Sequence, residues 1–333
     1  MDKRIVLAVA GAGKTTTLIS RLDLTKRALI ITYADNNVDT LRRKIVEAFG
    51  FLPPNISIYS YFTFLHSFCY KPFLFLRMGR TQGLNFKPPP PHTLRLKRTS
   101  NDYYLDNNNR LYYGRLSKLL AVKNVVHDVV RRIEKYYDEM LIDEIQDFGG
   151  NDFDFLKSII TVNLNVLLVG DFFQSTYTTS RDGQVHMKLH QDFETYLEHY
   201  RKCELEIDQV SLVKSYRCSP TVCEFVKEKM GIEIYSHLTA PTLVKLIENL
   251  DEAEQLYRCS KTVKLFYAEH SRYDCYSQNW GASKGQDHYQ DVCVVLNGTA
   301  LTAFKKATCA ASLRSPRISF MSHARAPEVT STS

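Results

Sequence analysis

Hydrophobic and polar positions alternate along the first half of the chain with two different periods. Short apolar runs of about four to eight residues, bounded by polar or glycine residues, are typical of buried strands. Segments with an apolar residue at every third or fourth position, such as residues 36–49, are typical of helices. The runs that predict strands comprise residues 5–9, 27–33, 56–60, 140–142 and 165–169. Because strand and helix patterns alternate, we predict an α/β fold in which helices flank a parallel sheet.

Changes of composition divide the 333 residues into segments. We predict a first lobe at residues 1–205, with an inserted subdomain at about 71–115, where prolines at 88–91 precede a basic cluster. Residues 206–307 predict a second lobe with further strand patterns. Residues 308–333 lack any strand or helix period, which predicts a disordered tail. The remaining helical patterns cover residues 17–22, 61–69, 116–137 and 152–160, whereas the polar residues 180–208 predict a connection between the lobes.

The first predicted strand runs into a glycine-rich turn followed by lysine and threonine. Gly11 and Gly13 carry no side chain that would block a phosphate. In a phosphate-binding loop the lysine reaches the terminal phosphates of ATP, and the next hydroxyl, here that of Thr15, binds Mg²⁺. The alternative is an ordinary glycine turn, since Ala8 stands where the usual pattern has its first glycine. The predicted phosphate-binding residues are Gly11, Ala12, Gly13, Lys14, Thr15 and Thr16.

Two adjacent carboxylates follow the apolar run at residues 140–142. We predict that Asp143 holds Mg²⁺ through its water shell and that Glu144 polarises the attacking water. The alternative is a solvated strand end. Gln174 follows the next predicted strand, at the sheet edge where open α/β sheets bind their ligands. We therefore predict that Gln174 senses the γ-phosphate.

Composition narrows the class of protein. The formal net charge of +7 suits a polyanionic partner but does not require one. Eight cysteines occur without a Cys-x-x-Cys pair, so neither a zinc ribbon nor a disulfide scaffold is indicated, and reduced thiols in the cytoplasm are the simplest interpretation. No signal peptide is evident, and no apolar run approaches the roughly 20 residues of a membrane span.

The order of the motifs resembles the UvrD/Rep branch of superfamily 1 helicases, over roughly residues 4–300. The resemblance implies two RecA-like lobes, the second one incomplete, with ATP bound in the cleft between them. The segments that carry the resemblance are Ala-Gly-Ala-Gly-Lys-Thr at 10–15, Asp-Glu-Ile-Gln-Asp at 143–147, Gly-Asp-Phe-Phe-Gln-Ser-Thr-Tyr at 170–177, Ser-Tyr-Arg-Cys-Ser-Pro at 215–220 and Ser-Lys-Gly-Gln-Asp at 283–287.

The resemblance also implies roles for single residues. Tyr216 would stack on the adenine, and Arg217 would reach the γ-phosphate from the second lobe. Asp287 replaces the glutamate usual in the family and would face the ribose side. The residues that match segments touching single-stranded DNA are Thr32, Tyr33, Ser60, Tyr61, His66 and Tyr177.

The last motif of the family, Tyr-Val-Ala-x-Thr-Arg-Ala, is absent from the written sequence, and residues 308–333 stand in its place. Read out of frame, the codons compatible with residues 319–332 permit Phe-Tyr-Val-Ala-Cys-Thr-Arg-Ala-Arg-Gly-Asn-Val-Tyr. We therefore predict a truncation or a frameshift between about Lys306 and Ser312, which would remove the arginine of that motif and impair hydrolysis. A naturally divergent tail is the alternative.

Together, the motifs and the resemblance predict an ATP-dependent DNA helicase or translocase that uses ATP and Mg²⁺ and binds single-stranded DNA or RNA. Two alternatives stay open: an ATPase that binds single strands without unwinding a duplex, and a hydrolysis-deficient fragment that binds nucleic acid. Hydrolysis of ATP stimulated by single strands distinguishes the first two from the third, and strand displacement distinguishes the first from the second.

Overall fold

The computed structural model describes residues 1–175, 185–283 and 288–305. The predicted tail at 308–333 and the predicted frameshift lie outside these residues. The strands are β1 Lys3–Leu7, β2 Ala28–Thr32, β3 Ile56–Ser60, β4 Leu84–Asn85, β5 Leu111–Tyr112, β6 Glu139–Ile142, β7 Asn165–Gly170, β8 Glu206–Asp208, β9 Lys214–Ser215, β10 Tyr235–Ser236, β11 Thr262–Phe266, β12 Ser277–Asn279 and β13 Asp291–Val294. The α-helices are α1 Lys14–Ser20, α2 Asp35–Phe49, α3 Tyr61–Thr63, α4 Lys71–Leu74, α5 Leu116–Val122, α6 Val126–Tyr136, α7 Gly150–Ile159, α8 Phe193–Arg201, α9 Pro220–Met230, α10 Leu250–Arg258 and α11 Gly298–Lys305.

A six-stranded sheet with the order β3-β2-β6-β7-β1-β8 forms the centre of the fold. Strand β2 pairs in parallel with β3 and β6, β6 with β7, and β1 with β8. All residues of β2 and β6 are buried, which is the pattern of central strands covered on both faces. The predicted α/β fold with a parallel sheet flanked by helices is confirmed.

Contacts within the chain divide it into two compact units. The first unit contains residues 1–6 and 15–170 and a segment that ends at Asp208, and the second contains residues 7–14, a segment that begins at Asp171, and the chain from Gln209 onward. The first unit ends at Asp208, and the glycine-rich loop is grouped with the second unit. The physical reason is that Ala8, Val9, Ala10 and Ala12 share one apolar cluster with residues of α9.

The second unit also contains a three-stranded parallel sheet with the order β12-β11-β13. Its apolar cluster is built around Val263, Leu265 and Trp280, and the indole of Trp280 donates a hydrogen bond of 2.6 Å to the carbonyl oxygen of Leu265. Strands β9 and β10 form a separate parallel pair.

Some segments differ from the sequence prediction. The predicted helix at 116–137 is two helices, because Asn124 between α5 and α6 adopts a left-handed φ of 55°. The predicted polar connection at 180–208 contains α8 and β8, and β8 adds the sixth strand to the central sheet. The helix that begins at Tyr61 becomes a π-helix at Phe64–Tyr70 before it continues as α4.

Residues 71–115, which were predicted to form an inserted subdomain, contain little regular structure. Strands β4 and β5 pair in parallel, and short 3₁₀ turns occupy Pro91–Arg95 and Asn101–Tyr103. Within the described ranges, no helix is both long and apolar enough to cross a membrane.

Candidate nucleotide and nucleic-acid sites

The glycine-rich loop connects β1 to α1. Gly11 and Gly13 adopt left-handed φ values of 71° and 87°, a conformation that glycine reaches without the steric penalty of a side chain. Lys14 is the first residue of α1 and is half-buried. Successive backbone N–H groups in a loop of this conformation can form a concave anion-binding surface, and the phosphate-binding role of the loop stays a prediction.

The segment Ser215–Arg217 packs directly on this loop within the second unit. The backbone N–H of Tyr216 donates a hydrogen bond of 2.9 Å to the carbonyl oxygen of Gly11. A Cβ atom added to Gly11 would lie 2.6 Å from Cβ of Arg217 and 2.8 Å from Oγ of Ser215, so only glycine fits here. The structure therefore brings Tyr216 and Arg217 to the loop, although about 200 residues separate them from it in the chain.

Tyr216 presents an accessible ring beside the loop. Its side chain is 63% exposed, and its ring stacks on His237 at a centroid distance of 3.9 Å with an interplanar angle of 13°. A Cβ atom on Gly13 would lie 3.8 Å from the Tyr216 ring. The sequence contains no signal for His237, because nothing in its local pattern distinguishes it from a surface histidine.

Asp143 and Glu144 lie at the carboxyl end of β6. Asp143 is buried, and its carboxylate accepts a hydrogen bond of 2.9 Å from the backbone N–H of Glu144. Glu144 adopts a left-handed φ of 54°, a strained conformation for a residue with a side chain. The side-chain amide of Gln146 donates a hydrogen bond to the carboxylate of Glu144. Gln146 thus holds the carboxylate of Glu144 in place. The sequence analysis did not assign this role to Gln146.

Gly170 at the end of β7 makes room for Gln146. A Cβ atom at this position would lie 2.5 Å from Oε1 of Gln146 and 2.5 Å from Cγ1 of Ile145. The side chain that orients Glu144 is therefore held against the end of the neighbouring strand. Gln146 itself is fully buried, which limits its freedom to leave this position.

The first unit contains side-chain oxygen donors of the type that binds Mg²⁺. The hydroxyl of Thr15 and the carboxylate of Asp143 are hard oxygen donors, and Mg²⁺ is commonly held by one or two carboxylates, a substrate phosphate and water. Among residues 1–175, 185–283 and 288–305, no three His, Cys, Asp or Glu side chains form an all-protein metal site.

Gln174 lies in the second unit, at the end of the 3₁₀ turn Phe172–Gln174. The turn is capped by Asp171, whose carboxylate accepts a hydrogen bond of 3.1 Å from the N–H of Phe173. Gln174 is 5% exposed, so its amide is held in place by the surrounding structure. Its predicted role as a phosphate sensor stays a prediction.

Four of the predicted nucleic-acid contacts lie in the interior of the first unit. Thr32, Ser60 and Tyr61 are buried, and Tyr33 is only 9% exposed. The hydroxyl of Tyr61 donates a hydrogen bond of 3.0 Å to Asp152, and the Tyr61 ring packs on Phe148 at 4.7 Å between centroids. In this arrangement Tyr33 and Tyr61 stabilise the unit and do not offer a free ring face to a nucleobase.

His66 is half-buried within the π-helix. Its ring stacks on Tyr70 at 5.9 Å, and its Nε2 atom has no hydrogen-bond partner among the described residues. Burial lowers the pKa of His66, so the neutral imidazole predominates at neutral pH. Tyr177 and Asp287, the remaining site predictions, lie outside the described residues.

An aromatic cluster that the sequence analysis missed lies beside these residues. The ring of Phe62 packs at 5.9 Å from Phe86 and 5.0 Å from Tyr113, and Phe86 and Tyr113 stack at 5.3 Å. Phe86 is 60% exposed. The cluster joins the residue after Tyr61 to the inserted subdomain, which no periodicity in the sequence indicated.

Comparison with known families finds one match within this chain. Residues 96–194 match the family model of the UvrD/REP helicase N-terminal domain. The resemblance to UvrD/Rep helicases is thereby confirmed over the part of the chain that carries Asp143, Glu144 and Gln174. No curated protein matches the chain.

Solved structures of viral helicases are also similar to the chain. The structure of the PRRSV helicase is 12% identical, with a TM-score of 0.45 over 97% of this chain and 51% of that one. A complex of arterivirus nonstructural protein 10, a helicase, with DNA is 13% identical, with a TM-score of 0.48 over 97% of this chain and 60% of that one. The chain thus spans between half and three-fifths of the length of these helicases.

We expect Asp152 to make the stability of the first unit dependent on pH. Burial raises the pKa of Asp152 to about 7, although the hydrogen bond from the Tyr61 hydroxyl opposes the rise. The folded chain therefore binds this proton more tightly than the unfolded chain does. The resulting stabilisation is fully present below about pH 4 and is lost as the pH rises through about 7.

Replacing Asp152 by the uncharged Asn is expected to remove this dependence. At pH 8 the free energy of unfolding of Asp152→Asn should exceed that of the parent by up to about 4 kcal/mol, because each pKa unit corresponds to about 1.4 kcal/mol. Urea unfolding at pH 5, 6, 7 and 8 measures the difference. Asp39→Asn, at a position whose side chain is 84% exposed, is the control and should follow the parent. Identical pH slopes for Asp152→Asn and the parent would contradict the prediction.

Proposed function

We propose that the chain is an ATP-dependent helicase or translocase domain that couples ATP hydrolysis to movement on single-stranded nucleic acid. The observation that carries the proposal is the packing of Ser215–Arg217 on the glycine-rich loop, together with the UvrD/REP match at residues 96–194. The loop has two left-handed glycines, a following lysine and an adjacent arginine. Enzymes that transfer phosphoryl groups use residues of these kinds. The proposed substrate is ATP.

In this proposal each residue of the nucleotide site has one task. The loop from Gly11 to Gly13 cradles the phosphates, and Lys14 and Arg217 balance the charge that develops on them. Thr15 and Asp143 would hold Mg²⁺, which supplies charge neutralisation when it is bound. Glu144, oriented by Gln146, accepts a proton from the attacking water. The remaining roles are base stacking by Tyr216, phosphate sensing by Gln174 and ribose contact by Asp287.

We further propose that the single strand reaches the first unit at Phe62 and Phe86. The exposed ring of Phe86 and the partly buried ring of Phe62, and not the buried ring of Tyr61, are available to stack on bases. Such stacking tolerates any sequence, as translocation requires. His66 and Tyr177 complete the proposed contacts, and DNA is the proposed strand, with RNA as the alternative that the experiment tests.

Single-stranded DNA is expected to stimulate ATP hydrolysis and to bind with an affinity that falls steeply with salt, because phosphate contacts release counterions. Fluorescence anisotropy with a labelled oligothymidylate from 50 to 300 mM salt measures the binding, and phosphate release with and without the oligonucleotide measures the stimulation. Phe86→Ala should weaken binding by about 1–3 kcal/mol. Phe51→Ala is the control, because this phenylalanine is also about half exposed but follows α2 in another part of the surface.

Each outcome of this experiment decides between functions. Stimulation without displacement of an annealed strand favours an ATPase that binds strands without unwinding them. Binding without hydrolysis favours the hydrolysis-deficient alternative. An oligouridylate that stimulates better than the oligothymidylate would assign the activity to RNA. An equal loss of oligonucleotide affinity in Phe86→Ala and Phe51→Ala would contradict the proposed nucleic-acid site. An affinity that does not change with salt would contradict it as well.

A further inference from the structure

A pocket lies in the first unit, at the edge of the central sheet where β2, β3 and β6 begin. Its volume is about 290 Å³, and its lining includes Ser57, Tyr59 and Arg132. Asp143 and Glu144 follow the last residue of β6, whereas the pocket residues Tyr136 and Tyr137 precede its first. At about 3.3 Å per residue, the length of β6 separates the pocket from these carboxylates by roughly 13 Å. The pocket is therefore distinct from the proposed catalytic residues.

Arg132 brings a positively charged side chain with one unsatisfied buried donor to this pocket. Its guanidinium carbon lies 4.8 Å from the ring centroid of Phe68 and 4.9 Å from that of Tyr136. Its Nε atom is buried and has no hydrogen-bond partner, and in the described part of the chain Arg132 forms no ion pair. A buried donor on a charged group that lacks an acceptor is costly, so an acceptor from a ligand would be stabilising here.

Two neighbouring arginines, Arg27 and Arg131, differ from Arg132 in their hydrogen-bond partners. Arg27, which also lines the pocket, donates from Nε and Nη2 to the carboxylate of Asp138 at 3.0 and 2.6 Å, and from Nη1 to the carbonyl oxygen of Lys135 at 3.0 Å. Arg131 pairs with Asp128 at 2.5 Å. Both guanidinium groups have acceptors within the protein, whereas Nε of Arg132 has none among the described residues.

The rest of the lining supplies hydroxyl groups and flat apolar walls. Tyr137 packs on Phe68 at 5.9 Å between centroids, and Tyr59 packs on Phe68 at 6.4 Å. Burial raises the pKa of the Tyr137 hydroxyl, which therefore stays protonated and able to donate near neutral pH. Among the residues that the structure describes, no carboxylate lines the pocket. The lining therefore combines one available cation, hydroxyl donors and aromatic faces.

We propose that this pocket binds a small ring-bearing molecule that carries a phosphate or carboxylate group. Arg132 pairs with the oxyanion, because its planar guanidinium is already held between two rings and loses little freedom on binding. The hydroxyl groups of Tyr59 and Tyr137 complete the polar contacts, and the ring of the ligand packs on the aromatic walls. Ligand pockets range upward from about 300 Å³, so this volume suits a small molecule and not a polymer. The proposal does not depend on the proposed helicase function.

Calorimetry with the full chain tests the site. The probes are phenyl phosphate and benzoate, which share a ring and differ in the oxyanion, and phenol, which has the ring without the charge. At least one oxyanion is expected to bind at 1:1 stoichiometry with phenol at least tenfold weaker. Arg132→Gln should weaken the binding at least tenfold, and Arg131→Gln, one residue away, should leave it unchanged. Preference for one oxyanion identifies the group as phosphate or carboxylate.

Other results overturn the proposal. If neither oxyanion binds the parent, the pocket takes no such ligand. If binding survives in Arg132→Gln, the probe lies elsewhere, for example on the glycine-rich loop. Circular dichroism checks that Arg132→Gln is folded. Tyr137→Phe, which removes only a hydroxyl, provides a second variant that should weaken the binding severalfold, and unchanged binding in a folded Tyr137→Phe contradicts the assigned contact.

Discussion

Glu144→Gln is expected to lower the rate of ATP turnover by about 10²–10⁴-fold while nucleotide affinity stays within a few fold of the parent. The substitution keeps the size of the side chain and an oxygen that can accept from the amide of Gln146, but it removes the proton acceptor. Asp143 and the glycine-rich loop are unchanged, so the groups proposed to hold Mg²⁺ and phosphate stay in place. Steady-state phosphate release measures turnover, and calorimetry with a non-hydrolysable ATP analogue measures affinity.

Glu47→Gln is the matched control, because Glu47 is a carboxylate of α2 with 65% of its side chain exposed. Its turnover should equal that of the parent. If Glu144→Gln loses nucleotide affinity together with turnover, Glu144 has a structural role instead of a catalytic one. A structural role requires that the carboxylate of Glu144 stabilises the strained backbone at this residue. Thermal unfolding of the variant, measured in the same series, tests this requirement.

The sequence predicted the central sheet well because most of its strands are short apolar runs, two of which, β2 and β6, are buried along their whole length. The run at Ile56–Ser60 has the predicted bounds, and β2, β6 and β7 lie within one or two residues of their predicted positions. Strand β8, by contrast, is short and polar, and its place beside β1 depends on pairing that no local pattern records. The sequence did contain a pattern that predicts helix α8, because its buried residues Tyr196, Leu197 and Tyr200 are spaced as one helical face.

The candidate site was predictable in its residue types but not in its neighbours. The spacing of glycine, lysine and threonine identified the loop from its chemistry alone. The contacts of Gly11 with Arg217, of Glu144 with Gln146, and of Tyr216 with His237 are tertiary, and only the fold creates them. The same limitation explains Tyr61, whose aromatic ring suits stacking in sequence but which is buried against Phe148 and hydrogen-bonded to Asp152.

Lys14→Ala is expected to lower ATP hydrolysis by at least about 10²–10³-fold, because an ammonium group that balances charge on the transferred phosphate is removed. Unlike Glu144→Gln, it should also weaken nucleotide binding, since the charge acts on the bound phosphates as well as on the transition state. The fold should persist, because Lys14 is the first residue of α1 and alanine has the highest helix propensity. Phosphate release, calorimetry and thermal unfolding measure the three effects.

Lys26→Ala is the control for the loss of a positive charge near α1. Lys26 is 47% exposed and lies 3.9 Å from Asp23, in a surface ion pair of small expected energy. Its hydrolysis rate and nucleotide affinity should match those of the parent. A purified, folded Lys14→Ala that hydrolyses ATP at the parent rate would show that the glycine-rich loop is not the phosphate site. Such a result would remove the basis for the proposed ATPase, whereas the oxyanion pocket at Arg132 would be unaffected.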